Sequence, residues 1–470
     1  MYFVAKDKLG ISIILLTLLA IFFVIPQWQT AIISLMWLAV VSFCLLNLKE
    51  RLLLLLFQAT LFTFLMTRLI FPTFFSTEYI VADAGGTIRM FSAETLRFIY
   101  TTIAISIFGS YAGYVCVSQR EETNHALFDT TNSYVVNIRR MSKLLSYFCS
   151  IFYVALIIEK ALFVIRNGYF AMFAEFESQL PGLITTLSHL YSPLLFLFLA
   201  TFPSKQEARP PLWLYAIIAI LSLSTGSRTG FMLALVFLIF YFCLRNIHTP
   251  EDPWLSRKAA IGIIALIPAL FVFMFMIDFI RADREMDGSG IFSMFINFFY
   301  QQGISAQVLG LSYEMQYLLG DRIFSFGQII DNFNKNFIFQ IMGTAVEYRP
   351  QTEEMAQYGH SLANTITYYA MYKSFLSGVG LGTSYIAEVW HDFGYVGLLL
   401  WNMMYGFFFA KFYKWSRQNI WACAFGLIII PDIIYSPRGH AGAFLNVFFS
   451  ISILLTFLII HILAKRFSKQ

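Results

Sequence analysis

The residues of this chain best suited to move protons are Glu388 and His391, in a glycine-rich stretch at residues 378–397. A spacing of three places both side chains on one face of a helix. A carboxylate or an imidazole there can serve as a general base or orient a hydroxyl group, although Glu388 is also suited to pair with an arginine. The glycines do not form a phosphate loop, because they follow no strand and lack the Lys-Ser/Thr ending. His360 is the third candidate base, although a lone loop histidine is more often structural.

A second kind of site is indicated by an arginine inside a long apolar run. Residues 212–244 would span about 50 Å as one helix, which is too long for a bilayer. The sequence Ser-Thr-Gly-Ser-Arg-Thr-Gly at residues 224–230 therefore predicts a break, with Ser227 or Thr225 as the N-cap of the next helix. Free N–H groups at that helix start, together with Arg228, would bind an anion. The alternative is that Arg228 only reaches towards lipid headgroups.

Another short polar turn, Ser-Pro-Arg-Gly-His at residues 436–440, carries a second arginine. We expect Arg438 and the histidine to face the same side of the membrane as Arg228. Together the two turns predict a basic pocket on that side.

The elements that position these residues must be membrane-spanning helices. The chain has 470 residues, of which 58% are hydrophobic and only 13% charged, whereas soluble domains carry about 25% charge. Apolar runs near twenty residues recur along the whole chain, each long enough to cross a bilayer. We expect an all-α integral membrane protein with about twelve spans, near residues 10–27, 30–48, 52–71, 96–117, 142–165, 184–202, 212–225, 228–245, 259–280, 386–410, 419–435 and 441–463.

The first apolar run follows Lys6 and Lys8 and resembles a signal peptide. No small-residue cleavage site follows it and another apolar run begins at once, so we expect an uncleaved first span. The five cysteines all lie inside apolar runs without a CxxC pair, which favours buried apolar side chains over metal ligands or disulfides.

The distribution of Lys and Arg predicts the orientation. With both termini in the cytoplasm, every inner segment carries basic residues, as the positive-inside rule requires. Residues 281–385 then form a long outer loop, which contains Arg281, Arg284 and Arg349. Its amphipathic stretches predict short helices packed over the membrane face, and loops of this length usually carry function. The chain would thus comprise nine spans in residues 1–280, this loop, and three spans in residues 386–470.

Several chemistries have no motif in this sequence. It contains no DxD for a metal-bound nucleotide sugar, and no HExxH, P-loop or GxSxG. We therefore expect no metal, nucleotide or other cofactor. The net charge of +5 follows from topology and gives no reason to expect nucleic-acid binding.

In these same stretches the chain resembles the Wzy-type O-antigen or capsule repeat-unit polymerases, within the wider polymerase/ligase group. The resemblance depends most on residues 378–397 with Glu388. It also includes the turn that ends at Arg228, Gln302-Gly303-Ile304-Ser305, His360-Ser361-Leu362 and Pro437-Arg438-Gly439.

The resemblance implies an inverting, metal-independent glycosyltransferase of the GT-C type at the periplasmic face of the bacterial inner membrane. It would transfer a glycan from one undecaprenyl diphosphate carrier to the sugar of another. The base would be Glu388, then His360, then His391 in order of preference. A chain-length regulator and a flippase of the same pathway are the expected protein partners. The arginines available to the leaving diphosphate are Arg228, Arg438, Arg281, Arg284 and Arg349.

Two other functions remain open. A lipid-linked oligosaccharide flippase needs cations along a central pathway and has short outer loops, whereas this chain has one long loop. An O-antigen ligase carries a histidine at the start of the helix that ends in Gly-x-x-Gly. Aligning Gly394 and Gly397 with that pattern places Thr383 and Ser384 there instead.

Overall fold

The computed structural model consists mainly of long apolar helices. It describes residues 2–75, 81–84, 87–117, 127–256, parts of 258–273, 291–334 and 346–469. Nine helices among these are long and apolar enough to cross a membrane. The bent pair Ala443–Phe449 and Ile451–Phe467, with 56° between its parts, would be a tenth span. The chain is therefore an all-α integral membrane protein, as predicted.

The number of spans stays a prediction. The first expected span corresponds to a shorter apolar helix, Lys8–Val24, and the one expected at residues 259–280 lies mostly outside the described residues. The membrane helices and their neighbours are Tyr2–Val24, Gln29–Leu46, Leu48–Leu61, Thr67–Phe75, Ala93–Val117, Ser133–Asn167, Ala171–Ala174, Gly182–Ala200, Lys205–Ser222, Thr229–His248, Tyr385–Gln418, Ile420–Tyr435, Asn446–Phe449 and Ile451–Phe467.

The chain folds into two compact units. The first contains Met1–Glu121, Gly290–Lys411 and Ile433–Ala443; the second contains Glu122–Ser289, Phe412–Asp432 and Phe444–Gln470. An antiparallel hairpin in the first unit pairs Val81–Ala84 with Thr87–Met90, Val81 opposite Met90. Nothing in the sequence analysis anticipated this hairpin.

The predicted break in the second unit is present, but its cap is not the predicted one. Helix Lys205–Ser222 runs into a 3-10 turn at Leu223–Thr225, and the next helix begins at Thr229. Its N-cap is Arg228, without a side-chain cap, so the prediction of Ser227 or Thr225 was wrong. The Thr225 hydroxyl is used by the turn itself: it donates to the Ser222 carbonyl and accepts the Ser227 N–H.

Short helices occupy the described part of residues 281–385, as the amphipathic pattern predicted. They are Ile291–Gln302, Ile304–Glu314, Gln316–Leu319, Gly327–Asn334, Glu353–Tyr358, Leu362–Ala370 and Tyr372–Leu376. Helix Ile304–Glu314 packs against the membrane helix Ala93–Val117, and its residues from Ser305 to Ser312 are buried. This segment is therefore part of the core of the first unit.

Helix Tyr385–Gln418 contains the second part of the glycine-rich stretch and packs closely against Ala93–Val117. A Cβ atom at Gly113 would lie 2.0 Å from the Met403 carbonyl oxygen, so only glycine permits this approach. At Gly394 the helix is interrupted by a left-handed backbone, φ 64° and ψ −163°, which glycine adopts without strain. The turn that holds Glu388 is thus separated from the long apolar part of the same helix.

Candidate active site

Glu388 is the centre of a buried polar cluster in the first unit. Its side chain is fully buried, and both carboxylate oxygens accept hydrogen bonds. The first oxygen, Oε1, accepts from the Thr383 hydroxyl and from Nδ1 of His440, both at 2.8 Å. The second, Oε2, accepts from the backbone N–H of Ala441 at 2.7 Å. A carboxylate removed from water requires such partners.

The helix that contains Glu388 and the loop that contacts it stabilise its buried charge. It lies in the first turn of helix Tyr385–Gln418, where the helix dipole favours a negative charge. The loop that brings His440 to it is held by Gly442, where an added Cβ would lie 2.5 Å from the Ser325 carbonyl oxygen. The loop therefore fits against Ser325 only with glycine at that position.

His440 is the accessible member of the pair. Its side chain is 25% exposed, whereas Glu388 is fully covered. Burial alone would lower the pKa of His440, but the charge and hydrogen bond of Glu388, helped by Asp331, outweigh it and raise the pKa. Because Nδ1 donates to the carboxylate, Nε2 is the nitrogen left to accept a proton.

Arg438 lies two residues before His440 and brings a positive charge to the same turn. Its Nη1 donates to the Gln302 carbonyl oxygen at 3.1 Å, and its guanidinium lies 5.8 Å from the centre of the Phe64 ring. The side chain is half-buried. A cation thus stands beside a histidine whose own carboxylate partner is buried.

His391 belongs to a second carboxylate–imidazole pair, one helical turn after Glu388. Its Nδ1 lies 2.9 Å from the adjacent Asp392 carboxylate. Asp392 also accepts the backbone N–H groups of Phe324 and Ser325, the latter at 2.7 Å. The carboxylate is thereby committed to holding residues 324–325 and the orientation of His391.

His360 belongs to a third such pair, with Asp331. Nδ1 of His360 lies 3.0 Å from the carboxylate, which also accepts the His360 backbone N–H. Asp331 is close enough to His440 to contribute to the rise in its pKa. The His360 carbonyl oxygen packs directly against Gly327, where an added Cβ would overlap it. The loop that carries His360 is therefore in contact with the start of helix Gly327–Asn334.

A cavity of about 570 Å³ opens beside His391. Its wall includes Tyr317, Asp321, Arg322 and Trp390. The volume is in the range of small-ligand clefts. Aromatic and acidic groups thus face one cavity, which begins one helical turn from Glu388.

The predicted site residues are only partly brought together. Glu388 accepts hydrogen bonds from the loop that follows Arg438, and His391 and His360 lie in the same unit. Arg349 is an exposed residue of that unit, whereas Arg228 is half-buried in the second unit at the start of helix Thr229–His248. Arg281 and Arg284 lie outside the described residues.

His440 was absent from the candidate bases chosen by sequence reasoning. In the sequence it belongs with Arg438 to a basic turn, because nothing local links it to Glu388, 52 residues earlier. The one available indication was a histidine two residues after an arginine in a short polar turn. Among the described residues, no group of three or more His, Cys, Asp or Glu side chains is arranged to hold a metal ion.

Comparison with known proteins gives one family. No curated protein and no solved structure matches the chain. The family model described as O-antigen polysaccharide polymerase Wzy matches residues 8–470, nearly the whole length. The matched range includes the membrane helices, the short helices of residues 291–376 and the Glu388–His440 cluster. The chain therefore belongs to the Wzy family of O-antigen polysaccharide polymerases.

Proposed function

We propose that this polymerase joins undecaprenyl-diphosphate-linked repeat units at the periplasmic face of the inner membrane, by metal-independent glycosyl transfer of the GT-C type. A hydroxyl of the acceptor sugar attacks the anomeric carbon of the donor glycan. A carbon–oxygen bond forms to the acceptor, and the bond to the lipid diphosphate breaks. The reaction needs a base for the hydroxyl proton and cations for the leaving diphosphate.

The observation that carries this proposal is the Glu388–His440 pair. His440 is the base: Nε2 accepts the hydroxyl proton, while the imidazolium that forms is stabilised by the buried carboxylate. Glu388 is a positioning residue, because its oxygens are occupied by Thr383, His440 and Ala441. This assignment replaces Glu388 as the base. It ranks His360 and His391 lower, although Asp331 and Asp392 hold them by Nδ1 in the same way, because His440 shares its short turn with Arg438.

Cations would neutralise the leaving diphosphate. Arg438 is the first candidate because it shares a short turn with His440. Arg228, at a helix start, and Arg349 are further candidates, together with Arg281 and Arg284. A planar guanidinium suits the two phosphate groups better than an ammonium does.

The remaining expectations concern location and partners. Both termini lie in the cytoplasm, since basic residues recur on the segments assigned to that side. The substrate is held by the membrane through its lipid, so the protein works beside a flippase that supplies the carrier and a regulator of chain length. No cofactor takes part.

The test is a lipopolysaccharide gel from a strain that lacks the gene, complemented with wild type, His440→Ala or, as a control, His189→Ala. His189 is an exposed histidine of helix Gly182–Ala200. We expect core with a single repeat from the deletion strain and from His440→Ala, and a full ladder from wild type and the control.

Other outcomes distinguish the alternatives. Bare core in the deletion strain would favour a ligase or a flippase, and an unchanged ladder would mean that another glycan is the product. A normal ladder from His440→Ala would rule out His440 as the base.

A further inference from the structure

The cavity beside His391 has a lining that is suited to a sugar. Tyr317 is 78% exposed, so its ring is available to a ligand. Trp390 is held by the rings of Phe98 and Tyr313, at centroid distances of 4.4 and 5.8 Å. A pyranose presents an apolar C–H face that stacks on such rings and a rim of hydroxyl groups that need acceptors. The exposed Asp321 carboxylate supplies an acceptor.

The same lining is unsuited to a phosphate. Arg322 is the cation of the cavity wall, but its Nε and Nη1 donate to the carbonyl oxygens of Leu319, Ala356 and Gly359. Its guanidinium also lies 5.2 Å from the centre of the Phe324 ring. Because Nε and Nη1 are committed and the Asp321 carboxylate lies in the same wall, the cavity offers a diphosphate little net attraction.

The cavity is joined to the His440 loop by a shared segment. Asp392 holds the backbone N–H groups of Phe324 and Ser325, and the Ser325 carbonyl packs against Gly442, two residues after His440. His391 borders the cavity, and its Nδ1 faces Asp392. Its Nε2 is therefore the nitrogen suited to accept a hydrogen bond from a hydroxyl group.

We propose that this cavity is a carbohydrate subsite that binds sugar rings of the lipid-linked acceptor and presents a hydroxyl group to His440. The inference depends on the glycosyl transfer proposed above. Tyr317 and Trp390 stack on the sugar, and Asp321 and His391 accept its hydroxyl groups. The cavity binds the sugar part of the substrate, while the diphosphate is bound outside the cavity by the candidate arginines named above.

The experiment uses the full chain in lipid nanodiscs and the delipidated repeat-unit oligosaccharide of the host strain as the probe. Tyr317→Ala and Asp321→Asn are compared with Tyr358→Ala. Tyr358 is a 61% exposed tyrosine of helix Glu353–Tyr358, outside the cavity lining. Calorimetry measures oligosaccharide binding, and steady-state kinetics with lipid-linked repeat units separates KM from kcat.

We expect Tyr317→Ala and Asp321→Asn each to weaken binding and to raise the acceptor KM by roughly three- to tenfold, with little change in kcat. Tyr358→Ala should behave as wild type, whereas Tyr317→Phe, which keeps the ring, should lose less binding than Tyr317→Ala. Inorganic pyrophosphate should not displace the oligosaccharide, and displacement would overturn the assignment to sugar.

The outcomes separate this inference from the proposed function. If wild type polymerises and both cavity variants keep its KM and its binding, the subsite is wrong and the function stands. If wild type binds the oligosaccharide, Tyr317→Ala does not, and no polymer forms from lipid-linked units, the cavity binds carbohydrate but glycosyl transfer is wrong.

Discussion

Replacing Glu388 by glutamine tests the proposed mechanism directly, because it keeps the shape of the side chain and removes its charge. The carboxylate accepts from Thr383 and His440 through one oxygen and from Ala441 through the other. An amide has one oxygen only, so its NH₂ group must face either the Ala441 N–H or the Thr383 O–H and the His440 N–H. One buried donor is left without an acceptor, which costs about 1–3 kcal/mol of folding stability.

The effect on catalysis should be larger. Without the carboxylate, His440 loses the charge that stabilises its imidazolium, and an amide that turns its NH₂ group towards the ring would favour the other tautomer. We expect Glu388→Gln to lower the polymerisation rate by about 10²- to 10⁴-fold, the usual contribution of a positioned base. The assay is polymer formed from lipid-linked repeat units by protein that is inserted and folded.

The pH dependence gives a second measurement on the same variant. His440 must be neutral to accept a proton, so the rate should rise with pH through its pKa, which Glu388 raises. Removing that charge should move the acid limb to lower pH. The same raised pKa means that the pair stabilises the fold most below the ordinary histidine pKa, and this contribution is lost as pH rises through the raised value.

The control is Thr383→Val, which removes one donor to Glu388 but leaves His440 in place. We expect it to lower the rate by less than about tenfold. A rate for Glu388→Gln within about threefold of wild type, with an acid limb that does not move, would refute the positioning role.

Three further predictions concern the surroundings of this pair. Arg438→Ala should abolish the polymer ladder and Arg438→Lys should restore little of it, because an ammonium cannot replace a planar guanidinium at a diphosphate; full activity of the lysine variant on a lipopolysaccharide gel would rule out such recognition. Gly442→Ala should lower the melting temperature and the polymer yield, because the added Cβ would lie 2.5 Å from the Ser325 carbonyl oxygen. Gly380→Ala is the control and should be tolerated, because the nearest atom there is 3.5 Å away. Equal yields from the two variants would contradict the packing argument. Asp392→Asn should lower the free energy of unfolding by about 1–3 kcal/mol, because two backbone N–H groups lose a charged acceptor; thermal unfolding in detergent measures this, and an unchanged curve would count against it.

The parts of the fold that could be predicted are those that depend on neighbouring residues in the sequence. Hydropathy over about twenty residues locates the spans, and a run too long for the bilayer located the break at residues 224–230. The same reasoning predicted the wrong N-cap residue for helix Thr229–His248. Arg228 precedes the helix, and the Thr225 hydroxyl bonds within the turn instead, which a list of residue types does not reveal.

The site was less predictable because its bonds join distant segments. The structure places Glu388 in a buried polar cluster, but its partner His440 is 52 residues away in the sequence. Periodicity describes neighbours on one helix and says nothing about which loop returns to it. The interruption at Gly394 was similarly hidden, because a glycine in an apolar helix is usually tolerated without a break.

The distance in sequence between Glu388 and His440 also has a consequence for biogenesis. The carboxylate is synthesised 52 residues before the imidazole that it pairs with, so Thr383 is the first of its described partners to be made. Until the final loop is in place, the growing chain carries an acidic group whose burial would cost several kcal/mol. A protein truncated before residue 440 therefore lacks two of the hydrogen-bond donors to this buried carboxylate as well as the proposed base.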